Sequence, residues 1–220
     1  GGIVRFAYGC EVLEGRISKV HLPQRALPVF QVVEYLRAFL TGRIGWSVLR
    51  SLLIISGAFG LYKKAEVVRV GGYDPTSDTE DLELVVRLHE SCRSRRVPYR
   101  IVFVPDPVCW TEVPTTFQIL RRQRNRWHRG LLQSLWLHKR MFLNPRYGVI
   151  GLFTLPYFVV FEMFGPCVEI LGYITIPLAW WLGFPPTANI LLLVPSCAMA
   201  LLAAYGFGSC FAALNIRWRD

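Results

Sequence analysis

Four acids fall within six residues in Ser77-Asp78-Thr79-Glu80-Asp81-Leu82-Glu83-Leu84: Asp78, Glu80, Asp81 and Glu83. Ser77 precedes Glu80 by three positions, as in a capping box, and Leu82, Val85 and Val86 recur at helical spacing. The spacing predicts a helix that carries the acids on its first turn and runs to about Cys92. Taken alone, such acids do no more than complement a helix dipole. Some forty residues on, a second helix is expected from Thr115 through QILRRQRNRWHRGLLQSLWLHKRMF, where Gln123, Arg126 and Trp127 stand at i, i+3 and i+4 on one face. An amide, a planar guanidinium and an indole presented together suit a sugar ring stacked on the indole and a phosphate gripped by the guanidinium.

The elements that must hold these groups read as an α/β layer. Ile3–Phe6 and Arg16–Val20 are strand-like, and Val29, Val32, Val33, Leu36 and Leu40 follow a helical period. Ser51–Tyr62 is an apolar run rich enough for a buried strand. Its centre, Ser56-Gly57-Ala58, is small enough to let a substrate approach the backbone, or to let a strand cross tightly under a helix. Arg93–Arg96 reads as a solvated basic loop, and Arg100–Val104 as a strand ended by Pro105-Asp106-Pro107. Alternating helices and strands over residues 29–104 suggest the layer.

Charge divides the chain into two solvents. No acid lies between Val113 and Phe161, while eight Arg and Lys do, and residues 170–216 carry no charge at all. Beyond Gly130, Leu131, Leu132, Leu135, Trp136, Leu137 and Phe142 are interleaved with Lys139 and Arg140, as in a basic amphipathic helix at a membrane surface. Apolar segments follow at 147–161, 170–184 and 187–216. Glu162 and Glu169 are costly among them and are expected to face protein or a polar cavity, either as partners of the basic helix or at a break near Gly165-Pro166. The basic stretch before Tyr147 and Arg217 and Arg219 after the last segment both mark a cytoplasmic side, which three crossings do not satisfy unless one is re-entrant or the first two form a hairpin. The net charge of +10 raises nucleic acid as a partner, but the basic residues alternate with leucines and lack a reading motif, so none is expected. The six cysteines show no metal or disulfide spacing. The chain begins Gly-Gly without Met or signal peptide and is expected to be a piece of a longer protein.

Thr79-Glu80-Asp81 followed by Gln123-Arg124-Asn125-Arg126-Trp127 resembles the TED and QxxRW pair of membrane-bound family 2 glycosyltransferases, a group that includes cellulose, hyaluronan and poly-N-acetylglucosamine synthases. The resemblance covers roughly residues 30 to 184, with Ser56-Gly57-Ala58 where such enzymes carry a small-residue strand. It implies a partial GT-A-like domain over 1–115, a motif helix and basic interfacial helix over 116–146, and transmembrane helices over 147–216 of a multi-pass cell-membrane protein with its catalytic part in the cytoplasm. It also implies an inverting transfer from a nucleotide-sugar donor to a glycan or lipid acceptor. Asp81 would act as general base and Glu80 would set the motif turn, with Gln123 and Arg126 on the diphosphate and Trp127 on the acceptor sugar; Gly57 and Ala58 would border the substrate. A divalent cation, Mg or Mn, is implied only by the resemblance: the five aspartates at 74, 78, 81, 106 and 220 include no DxD pair, so no metal ligand is assigned. The half of the fold that binds the nucleotide is expected before Gly1, leaving these residues inactive alone. The competing reading is a non-enzymatic membrane transporter or scaffold whose basic helix binds anionic lipid.

Overall fold

The computed structural model describes residues 1–183, without the side chains of Thr41, Pro107 and Glu169. In chain order the elements are β1 (Gly2–Phe6), β2 (Glu11–Leu13), β3 (Arg16–Lys19), α1 (Ala26–Arg37), a π-helical turn (Ala38–Arg43), α2 (Ile44–Val48), α3 (Lys64–Arg69), α4 (Glu80–Ser94), β4 (Val104–Thr111) and α5 (Phe117–Leu137). Short 3-10 turns at Lys139–Met141 and Pro145–Tyr147 lead into π-helical Ile150–Thr154, α6 (Leu155–Tyr157), π-helical Phe158–Met163 and α7 (Gly165–Trp181).

The sheet is smaller than the sequence suggests. β1 and β4 pair in parallel, and β2 and β3 form a separate antiparallel hairpin. Pro105-Asp106-Pro107 lies inside β4 instead of ending a strand. The register jumps from Gly2↔Val104 to Ile3↔Val108, so the prolines, which have no N–H to donate, sit in an irregularity and the ladder resumes at Val108. Ser51–Tyr62 is not a strand either. Leu52, Leu53 and Ile55 are buried as expected, but side chains take the backbone polar groups that a ladder would use. The His89 ring bonds the Leu52 carbonyl at 2.9 Å, and the Gly57 N–H donates to Asp81 at 2.7 Å. Helix α4 begins at Glu80, with Thr79 and not Ser77 at the N-cap position; the Ser77 hydroxyl instead accepts the Thr79 N–H at 3.3 Å.

Two apolar clusters meet α4 on adjacent faces. Val85 joins Ile3, Val4, Phe39, Leu52, Ile55 and Phe103 beneath the β1–β4 pair. Leu82 and Val86 join Leu53, Met141, Tyr147, Ile150, Leu155 and Phe158. The motif helix is therefore wedged between the sheet and the start of the apolar helical run, and full burial of each such side chain is worth about 1.5–3 kcal/mol.

Residues expected as two separate apolar segments form one near-continuous run, Ile150–Trp181, bent at Phe164; among the described residues it is the one helix long and apolar enough to cross a membrane. The segment expected at 187–216, Cys197, Cys210, Arg217 and Arg219 lie outside the described residues, as does the Glu169 side chain. Glu162 is exposed on the run, not turned into protein, two residues before the bend at Phe164 that precedes Gly165-Pro166. Helix α5 stops at Leu137, and around its end Trp136, Leu137, Phe142 and Leu143 are exposed, with the Lys139 ammonium 4.3 Å from the Trp136 ring centroid. Arg140 instead turns inward to the buried Glu90 carboxylate.

Candidate active site

The acidic motif and the aromatic motif meet at one glycine. A Cβ on Gly130 would fall 2.2 Å from the Thr79 Oγ1 and 2.5 Å from its Cγ2, so only glycine lets α5 approach the N-terminus of α4 this closely. On the same seam Arg129 pairs with Asp78 at 3.3 Å, and the Gln133 side-chain oxygen accepts the Asp78 N–H at 3.1 Å. An isolated glycine inside a helical pattern is a signal that sequence reading can catch; its partner, fifty residues away, is not.

The Asp81 carboxylate is held by two backbone donors, Gly57 N–H to one oxygen at 2.7 Å and Leu82 N–H to the other at 2.8 Å. A Cβ on Gly57 would meet that oxygen at 3.2 Å, so the small-residue stretch serves the carboxylate directly. Gly57 and Ala58 are exposed, as is Glu80, while Asp81 is half-buried. Two further groups feel the Asp81 charge. Burial brings the Arg43 guanidinium down to about 10, against the opposing pull of Tyr35 and Asp81, so it is still charged at neutral pH. Burial raises the Tyr62 hydroxyl above its ordinary value, and Tyr73 and Asp81 add to the rise. Arg43 ends a π-helical turn and lies 3.6 Å from the Phe39 ring centroid; π turns are frequent at functional sites. Neither Arg43 nor Tyr62 stands out in the sequence.

On α5, Trp127 is half-buried and Arg126 exposed, and the Gln123 side-chain oxygen is buried without a partner. Arg124, between them, grips both oxygens of Glu34 at 2.7 and 2.5 Å and places its guanidinium 5.0 Å from the Trp127 ring centroid. This forked pair ties α5 to α1 beside Trp127, a contact across ninety residues that no local pattern announces. Among the described residues no hydrogen bond or ion pair joins Asp81 to Gln123, Arg126 or Trp127, and neither of the two best-formed clefts is lined by them. What the structure brings together is the two helices, through Thr79, Gly130, Asp78 and Arg129.

Behind the seam lies a buried polar cluster. The His138 nitrogens face Glu90 at 2.6 Å and Glu83 at 3.3 Å, Glu83 also takes Arg87 at 2.7 Å, and Arg87 donates on to the Val70 and Gly72 carbonyls. Burial raises the Glu90 carboxyl, and hydrogen bonds from Arg140 and His138 outweigh it, leaving Glu90 below its ordinary range. Among the described residues no three His, Cys, Asp or Glu side chains form a set that could hold a metal ion. Glu83, Glu90 and His138 cluster, but they are occupied by the arginines and by each other. Among the described residues, those present do not fit the implied cation.

The chain belongs to the glycosyl transferase family group 2, whose model matches residues 36–207. The mixed helix–strand layer is thus part of a GT-A-like glycosyltransferase domain. Among curated proteins it is similar to the poly-beta-1,6-N-acetyl-D-glucosamine synthase of Staphylococcus aureus (strain COL), 42% identical over 76 residues, which is 34% of this chain and 17% of that protein. It is also similar to the synthase of the same name from Staphylococcus epidermidis, 33% identical over 110 residues, which is 48% of this chain and 25% of that protein. The chain therefore matches a quarter or less of the length of these relatives. No solved structure matches it.

Proposed function

We propose that the protein transfers a sugar from a nucleotide-sugar donor to a hydroxyl of a glycan or lipid acceptor at the cytoplasmic membrane face, with inversion at the anomeric carbon. Asp81 is the general base. It takes the proton of the acceptor hydroxyl as that oxygen bonds to the anomeric carbon, and the bond to the nucleoside diphosphate breaks on the opposite face. The observation that carries this reading is the clamped carboxylate: two backbone N–H groups fix Asp81 at the N-terminus of a helix that is itself seated against the QxxRW helix. A carboxylate held this way keeps lone pairs for a substrate hydroxyl and loses little motion on reacting. Arg126, exposed at the same helix, offsets the charge that develops on the leaving diphosphate. The Gln123 amide, buried with one end unpartnered, offers the site a hydrogen bond, and Trp127 stacks on the acceptor sugar. Glu80 and the Gly57-Ala58 stretch shape the motif turn beside the acceptor. The similarity to poly-beta-1,6-N-acetyl-D-glucosamine synthases makes N-acetylglucosamine the first donor sugar to test.

The test is radiolabelled transfer by the full-length protein with a panel of nucleotide sugars. Asp81→Asn should lower transfer by about 10²–10⁴-fold, the range for loss of a general base. Because both carboxylate oxygens accept N–H donors, the amide must turn one N–H against another, so the thermal midpoint is measured beside activity. A folded Asp81→Asn protein that transfers sugar within a few-fold of wild type would falsify the assignment.

A further inference from the structure

A second site lies at the other end of the motif helix. Arg50, Arg93, Arg96, Arg100 and Arg146 line one cleft of about 410 Å³, together with Tyr99, and no acidic residue lines it. Asp81 and Arg93 are twelve residues apart on α4, so this cleft and Asp81 are separated by ~18 Å along its axis. One or two cations would suffice to complement a helix C-terminus. Five guanidinium groups from three chain segments exceed that need, and they repel one another unless an anion sits among them.

The backbone holds these arginines at a cost. Arg50 and Arg96 both occupy the left-handed region, at φ 53 and φ 55, where each closes a helix, α2 and α4, at a position that glycine usually takes. Arg93 and Arg146 are oriented by neighbours: the Arg93 Nε–H donates to the Tyr99 hydroxyl at 3.3 Å, and Arg146 donates to the Ser94 carbonyl at 3.2 Å. Arg95, by contrast, turns out of the cleft to Glu66 at 2.7 Å, so this stretch is not the uniformly solvated basic loop that its sequence suggests.

We propose that this cleft binds a phosphate-bearing anion. Forked guanidinium donors match phosphate oxygens in geometry as well as charge. Its position favours a source at the bilayer. Arg146 and Gly148, where a Cβ would lie 3.4 Å from the Arg93 guanidinium, stand immediately before the apolar run that begins at Ile150. An anionic lipid headgroup could reach the arginines while its chains follow that run; a free phosphate ester would reach them from water. The inference does not depend on the transfer reaction, because none of these arginines is placed in the sugar site.

Site-resolved phenylglyoxal labelling of the full-length protein in nanodiscs, read by peptide mass spectrometry, tests it. The arms are phosphatidylcholine discs, discs containing phosphatidylglycerol, and phosphatidylcholine discs with inorganic pyrophosphate. Arg96 and Arg146 should label at least three-fold more slowly with the bound anion, while exposed Arg16 on the β2–β3 hairpin should not change. Protection by phosphatidylglycerol assigns a lipid headgroup, and protection by pyrophosphate alone assigns a soluble phosphate. In Arg96→Gln/Arg100→Gln the protection of Arg146 should fall by half or more. Equal labelling of Arg96 and Arg146 in all three arms, or full protection of Arg146 in the double variant, overturns the proposal.

Discussion

Gly130→Ala puts the helix seam under direct strain. Alanine is the better helix former, so in an open helix interior the change would stabilise by roughly 0.5–1 kcal/mol. Here the new methyl carbon would lie 2.2 Å from the Thr79 Oγ1, 2.5 Å from its Cγ2 and 2.7 Å from its Cβ. Three contacts that short cannot be relieved by one rotamer change, because the Cβ itself is among them. The helices must part by about 1 Å to restore van der Waals spacing. Overpacking of this kind costs about 1–3 kcal/mol, which exceeds the propensity gain and sets the sign as destabilising by about 1–2 kcal/mol. For a domain of this size that corresponds to a fall of roughly 2–6 °C in thermal midpoint. Activity should suffer more than stability, since a shift of about 1 Å between groups that must converge on one substrate can cost about 10²-fold. The assay is thermal unfolding and sugar transfer on the same full-length preparation, with Thr79→Ala added as a second change. Removing Oγ1 and Cγ2 takes away two of the three clashes, so the double variant should be more stable than the two single effects predict. A Gly130→Ala protein as stable as wild type, with undiminished transfer, would show that the motif helices do not meet here.

Two further outcomes follow from Arg124, an unspecified position within QxxRW, and from His89, which lies outside both motifs. Arg124→Lys keeps the charge but loses the fork to Glu34; both partners are more than a third exposed, so stability should change by under about 1 kcal/mol, while kcat/KM for the acceptor should fall about ten-fold as Trp127 loosens. An unchanged acceptor KM would detach Arg124 from Trp127. His89 is fully buried, and burial brings it down to about 4, with its ring bonded to the Leu52 carbonyl and the Tyr99 hydroxyl. The unfolded chain takes up the proton first, so this contribution is fully present above pH 6.5 and is lost as pH falls toward 4, by at most about 3 kcal/mol. Denaturant midpoints measured across that window should fall less steeply for His89→Gln than for wild type, and parallel curves would refute the assignment.

The sequence shows the helices well and their fastening poorly. Periodicity places α4 and α5 to within a few residues, although α4 is buried nearly all round and α5 buries only Gly130 and Ser134 completely. It fails at Ser51–Tyr62, where hydrophobicity correctly announces burial but not how the backbone is satisfied. The donors and acceptors that replace a ladder there are Asp81 and His89, both on another element, and no local window contains them. The same limit hides Arg43 and Glu34: their meaning comes from residues about forty and ninety positions away. Residue types name the chemistry of the TED and QxxRW stretches, whereas the glycine and the arginine that set their geometry look ordinary until the chain is folded.

Helix α4 links three surfaces that the sequence presents separately. Its N-terminus carries Asp81 and rests on α5 through Thr79; its middle packs Leu82 and Val86 against Tyr147, Ile150 and Phe158; its C-terminus forms a wall of the arginine cleft. The start of the apolar run is therefore part of the core that supports the carboxylate, not a tether added after it. The buried Glu83–His138–Glu90 cluster joins the same helix to the end of α5, and breaking such a pair on one side typically costs about 3–5 kcal/mol. With apolar packing on one side and a charged cluster on the other, a displacement of the apolar run at Ile150 has few ways to relax except by moving α4. Because close-packed interiors transmit such strain, the position of the apolar helical run and the position of Asp81 are mechanically coupled.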